Sequence, residues 1–129
     1  MRIILWLAQI VLAVAFGMAG VMKSSQPIDA LVQSGIQWAN QVPVPLVRFI
    51  GISELLGALG LILPAATKIR PTLTPLAALG LLTIMILAMA FHVSRGEPQM
   101  LPINMVLGGL AAFVAWGRTK QAPIRSKTD

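Results

Sequence analysis

The sequence predicts an all-α fold: a membrane four-helix bundle with one additional short interfacial helix on its outer side. Three observations carry this reading. Hydrophobic residues make up 57% of the 129 and charged residues 11%, against about 45–50% and 25% in soluble globular domains. Four apolar runs are long enough to cross a bilayer, since about twenty helical residues at 1.5 Å each match a hydrocarbon core of roughly 30 Å. The charges gather between and after these runs rather than along them. A chain of this length is one domain, and the bilayer lifts the usual limit on core size in a small chain.

The first span covers about 3–22 and is interrupted only by Gln9. Arg2, the apolar stretch and Ala13-Val14-Ala15 have the outline of a signal peptide, but the run continues past that point, which favours a retained span. The second span covers about 46–66 and ends at Pro64 and the loop Thr67 to Pro71. The third covers about 73–93, with Thr74-Pro75 in a first turn that tolerates a missing N–H. The fourth covers about 101–116 and leads into a basic tail, 117–129. Between the first two spans, Ile28, Leu31, Val32, Gly35, Ile36 and Ala39 recur at helical spacing, with Asp29, Gln33, Ser34, Gln37 and Asn40 opposite. Pro27 and Pro43 bracket this stretch, which predicts an interfacial helix of about four turns over 27–40 with Trp38 at headgroup level. The alternative is an ordered loop capping the bundle.

A net charge of +6 does not indicate nucleic acid here, because the cations are distributed as membrane flanks. An even number of spans puts both termini on one side. Arg2, Lys68, Arg70, Arg118, Lys120, Arg125 and Lys127 then share that side, and only Lys23, Arg48 and Arg95 lie on the other. The excess predicts cytoplasmic N and C termini. The absence of cysteine excludes disulfides, a thiol relay and cysteine-ligated zinc or iron–sulfur centres. With one histidine in the chain, no metal site is expected.

Glu54 stands inside the second span, where an ionised group costs on the order of 2.5–3.5 kcal/mol even on lenient insertion scales. It needs a cation partner or a proton. Lys23 ends the first span at the outer face, Arg48 begins the second, His92 closes the third and Asn104 opens the fourth. Glu54 lies roughly 9 Å deeper than Arg48 by helical rise. Stripes of small residues share faces with these polar groups: Gln9, Phe16, Gly20 and Lys23; Gly51, Glu54, Ala58 and Ala65; Asn104, Gly108, Ala111 and Ala115. Small residues let membrane helices approach closely, so the polar groups are expected to point inward. Lys23, Arg48, Glu54, His92 and Asn104 are the candidate ligand-binding or proton-handling set. Each also has a plainer reading: Lys23 and Arg48 as snorkelling anchors, His92 as a satisfied interfacial histidine, Asn104 and Gln9 as interhelical bridges. Arg48 lies about 100° off the Glu54 stripe, which favours its anchor reading. The expected site has Glu54 paired with Lys23 or Arg48 and His92 lining the same cavity, under the 27–40 segment as a lid.

The run Arg48-x-x-Gly51-x-x-Glu54-Leu55-x-Gly57, continuing through Gly60 to Pro64, resembles the second-helix signature of the DoxX-like small membrane proteins. Gln9, Phe16, Gly20 and Lys23 of the first span and Phe91-His92 of the third fit the same pattern. The resemblance covers nearly the whole chain. It implies a four-helix bundle in the bacterial inner membrane, and some members resemble subunits of thiosulfate:quinone oxidoreductase or other membrane oxidoreductase complexes. Lys23, Arg48, Glu54 and His92 match its positions.

Three functions follow as expectations. The first is a non-catalytic accessory subunit whose outer polar pocket holds a small amphipathic ligand such as a quinone, for a soluble or membrane redox partner. The second is a structural anchor with Glu54 paired and inert. The third is a small proton-coupled transporter, disfavoured because small multidrug exporters carry their carboxylate midway along the first helix, where this chain has neutral residues. The lipid bilayer and a second copy of the chain are further expected partners.

Overall fold

The computed structural model describes residues 1–97, 99 and 101–126. Among them the chain is all-helical. The elements are α1 (Arg2–Ser25), α2 (Ile28–Gln33), a 3-10 turn (Gln37–Asn40), α3 (Val44–Thr67), α4 (Leu73–Ser94) and α5, α-helical over Leu101–Trp116 and ending in a π-helical turn, Gly117–Gln121. Four of these are long and apolar enough to cross a membrane: α1, α3, α4 and Leu101–Gln121. Each helix packs on the next and α5 closes the ring against α1, as in an up-down-up-down bundle with short connections.

The packing is lipid-style. The core is a narrow seam of Leu12, Phe16, Ala58, Leu61, Leu81, Ala111 and neighbours. Ile3, Leu7, Met18, Phe49, Leu56, Leu63, Leu87 and Val106 point outward and stay exposed. A soluble protein hides such residues; here they form the surface that meets acyl chains.

Proline is accommodated inside α3 by a partner helix. Pro64 has no N–H for the carbonyl of Gly60, four residues back. The hydroxyl of buried Thr74, on α4, donates to that oxygen at 3.0 Å instead. Lys68 (φ 58°) then turns the chain in the left-handed conformation that ends α3.

Two boundaries differ from the sequence reading. The 27–40 segment is not one helix: α2 stops at Gln33, Gly35 takes φ +106°, and a separate 3-10 turn follows. Only glycine adopts that φ cheaply, and Ser34 ends α2 by returning its hydroxyl to the Ala30 carbonyl at 2.8 Å. Leu31 and Ala39 still bury themselves against Val47, so the broken segment closes over the bundle end. The second difference lies at 117–121, assigned above to the tail, which continues α5. Arg118 is therefore part of the bundle and is buried. Lys127, counted among the tail cations, lies outside the described residues.

Candidate functional site

Glycine sets the position of the ion pair. A methyl group on Gly20 of α1 would stand 2.6 Å from the backbone nitrogen of Leu55 and 2.7 Å from the Gly51 carbonyl oxygen. One on Gly51 of α3 would stand 2.6 Å from the nitrogen of Ser24. The two helices thus touch main chain to main chain, which no residue with a Cβ permits. At this crossing Lys23 Nζ donates to Glu54 Oε1 at 2.9 Å. Glu54 is 1% exposed, while the Lys23 side chain keeps 13%. The Lys23 ammonium also lies 5.6 Å from the centre of the Trp38 ring, within cation–π range.

Arg48 is not a partner of Glu54. Its Nη1 donates to the carbonyls of Lys23 at 3.0 Å and Gln26 at 2.6 Å. These belong to the C-terminal end of α1, where carbonyls lack helical partners and a cation is favoured. Arg48 therefore holds the backbone that carries Lys23.

His92 is buried and takes a different carboxylate. Its Nδ1 lies 3.1 Å from Glu97 Oε1, an oxygen that also accepts from Arg95 Nε at 2.9 Å. The Arg95 hydrogen bond, then that of His92, hold the Glu97 carboxyl below its usual range. Arg95 reaches across to Gln41 and covers the Phe91 ring. Phe91 meets both Trp38, at 6.0 Å, and His92, at 5.5 Å, edge to face. A chain of contacts therefore runs Glu54, Lys23, Trp38, Phe91, His92, Glu97, with the covering segment in its middle. A recess of about 120 Å³ at the edge of that segment is lined by Gly35, Gln37, Trp38, Glu97 and Gln99. Neither Glu54 nor His92 lines it; each has its own charged partner, and the two carboxylates are joined through aromatic rings.

Asn104 is buried, and among the described residues its Nδ2 has no hydrogen-bond partner. A buried amide of this kind costs free energy until an acceptor meets it.

A second polar cluster lies at the end of the bundle carrying both termini, where Gln9 is the interhelical bridge expected from the sequence and Arg118, assigned there to the tail, is its partner. Gln9 Nε2 donates to the Leu61 carbonyl at 2.6 Å, and Gln9 Oε1 accepts from Arg118 Nε at 2.6 Å. One glutamine thus joins α1, α3 and α5. The signal was present: Asn104, Gly108, Ala111 and Ala115 continue at helical spacing to Arg118.

Four apolar helices enclosing buried polar groups define a multi-pass membrane protein of the small four-helix-bundle class. Within that class, the chain belongs to the DoxX-like family, whose sequence profile matches residues 7–114. No curated protein and no solved structure gives a match.

Proposed function

We propose that this protein is a non-catalytic accessory subunit of a membrane oxidoreductase system, which holds the headgroup of a quinone-like ligand at the bundle end opposite the termini. We place it in a bacterial inner membrane with both termini cytoplasmic, in keeping with its family and its basic flanks. The observation that carries the reading is the buried Asn104 amide without an acceptor, at the same end of the bundle as the Lys23–Glu54 pair. A quinone carbonyl is an acceptor of the required kind. Lys23 donates to Glu54 through one N–H and has two more to offer. The donor set, an ammonium and an amide, therefore suits a ligand that presents carbonyl oxygens.

When bound, a quinone supplies two-electron, two-proton chemistry. The chain's own residues would orient it and exclude water, and Glu54 would hold or release a proton beside Lys23. The covering segment would admit the ligand by turning about Gly35. With no cysteine for a thiol relay or iron–sulfur centre, the electrons would come from a partner protein.

The structural-anchor reading has one observation in its favour. Glu54 is fully buried against a single lysine, which is also what an inert interhelical bridge requires. Purification in mild detergent followed by mass spectrometry of the bound small molecules separates the two. The proposal expects a quinone-class molecule to copurify with the parent and to be lost from Asn104→Leu while that variant stays folded. Retention of the same molecules by parent and variant, or none with either, favours the anchor.

A further inference from the structure

Arg118 is 4% exposed yet, among the described residues, has no anion beside it; Asp129 lies outside them. Its Nε donates to Gln9 Oε1 and its Nη1 to the Ala122 carbonyl at 3.0 Å, both neutral acceptors, while Nη2 has no partner. The Trp6 ring covers the guanidinium at 5.6 Å. Among the described residues the acidic groups are engaged or placed elsewhere: Glu54 on Lys23, Glu97 on Arg95 and His92, and Asp29 in α2 at the far end. A guanidinium cannot give up its proton to escape this situation, so a buried, hydrogen-bonded cation is left short of negative charge and of one acceptor.

We propose that Arg118 forms the floor of a binding site for a phosphate-type oxyanion at the end of the bundle carrying both termini, independently of the Glu54 site. Gln9 is fixed by its own bond to Leu61, so it presents its oxygen to Nε and keeps the fork in place. The free Nη2 and the Nη1 now held by Ala122 are the edge that a phosphoryl group takes in a two-point contact. Ala122 lies where the chain has left the helix, and residues 123–126 have no regular structure. The oxyanion displaces this carbonyl rather than a packed side chain. The site lies near a membrane surface, where an arginine draws phosphates and water inward, and Arg2 and Lys120 add an attractive field. The same oxygens come from an acidic phospholipid or from free phosphate.

The full-length protein in nanodiscs distinguishes these sources. One arm uses phosphatidylcholine doped with phosphatidylglycerol, the other phosphatidylcholine alone with inorganic phosphate in the buffer, and both are read by native mass spectrometry. Saturable binding should appear in at least one arm and weaken about ten- to a hundredfold in Arg118→Gln, the equivalent of one charge-assisted hydrogen bond. Arg125→Gln should leave it near the parent value. Binding only in the doped arm assigns the ligand as lipid, and binding with phosphate alone assigns a free oxyanion. Equal weakening by R118Q and R125Q, or no saturable binding in either arm, overturns the proposal. If R118Q does not fold, the parent carries the test: with ¹⁵N-labelled arginine, solid-state NMR should show a dipolar contact between the Arg118 guanidinium and phosphorus. Absence of that contact equally overturns it.

Discussion

Glu54 and Lys23 make the sharpest test at the scale of single residues. Removing one member of a buried pair leaves the other charged without a counter-ion, at a cost of about 3–5 kcal/mol. Glu54→Gln should therefore unfold in detergent at lower denaturant than the parent. The double variant Lys23→Met, Glu54→Leu should recover most of that loss, because apolar replacements of similar volume remove both desolvation costs. A double variant as unstable as the single one would mean that the pair contributes more than its own contact. Glu97 adds a pH prediction. Its carboxyl is held low by Arg95 and His92, so its contribution is present above the ordinary carboxylate value of 4.5. It is lost as pH falls further, through the depressed value in the folded state. Closure of the covering segment, followed by hydrogen exchange at Ala39, should loosen only in that acidic window and lose its pH dependence in Glu97→Gln.

Elements were legible in the sequence where one physical rule governed them. The four spans followed from hydropathy and length, and the faces of α1, α3 and α5 from small residues at helical spacing. Gln9, Glu54 and Asn104 are buried on those faces. The covering segment was misread because its apolar spacing continues through Ser34-Gly35, although that dipeptide also marks a chain turn and tertiary burial of Ala39 allowed the break. The end of α5 was misread because a cation after Trp116 resembles a flank; the acceptors on Gln9 and Ala122 and the Trp6 ring retain Arg118 in the bundle. The partner of His92 could not be read at all, since Glu97 lies beyond the helix end and reaches back through a turn at Gly96 (φ +70°). At this scale Thr74→Val is informative. It keeps the shape of the side chain but strands the Gly60 carbonyl that Pro64 has already deprived of its helical donor. A loss of about 1–3 kcal/mol is expected, measured by unfolding in detergent. Pairing it with Pro64→Ala, which restores a backbone donor, should make the Thr74 substitution nearly neutral.

The molecule as a whole is a ring of helices with an exposed apolar surface and unlike ends. A reporter active only in the cytoplasm should work when fused after Arg125 and fail within Asp29 to Asn40; the opposite pattern would reverse the orientation proposed from the charges. The stability of the four-helix body should depend little on the covering segment, which packs through Leu31, Ala39 and Val47 in a cluster separate from the main seam. The glycine crossing of α1 and α3 has a mechanical consequence. With main chain against main chain at Gly20 and Gly51, no side chain between them can change rotamer to let one helix slide past the other. The pair is therefore expected to move as one rigid unit. Cysteine pairs are easily read in a chain that has none of its own. On the quinone proposal, a cross-link between α1 and α3 should therefore leave exchange of that ligand unchanged, whereas one between α1 and α5 should stop it.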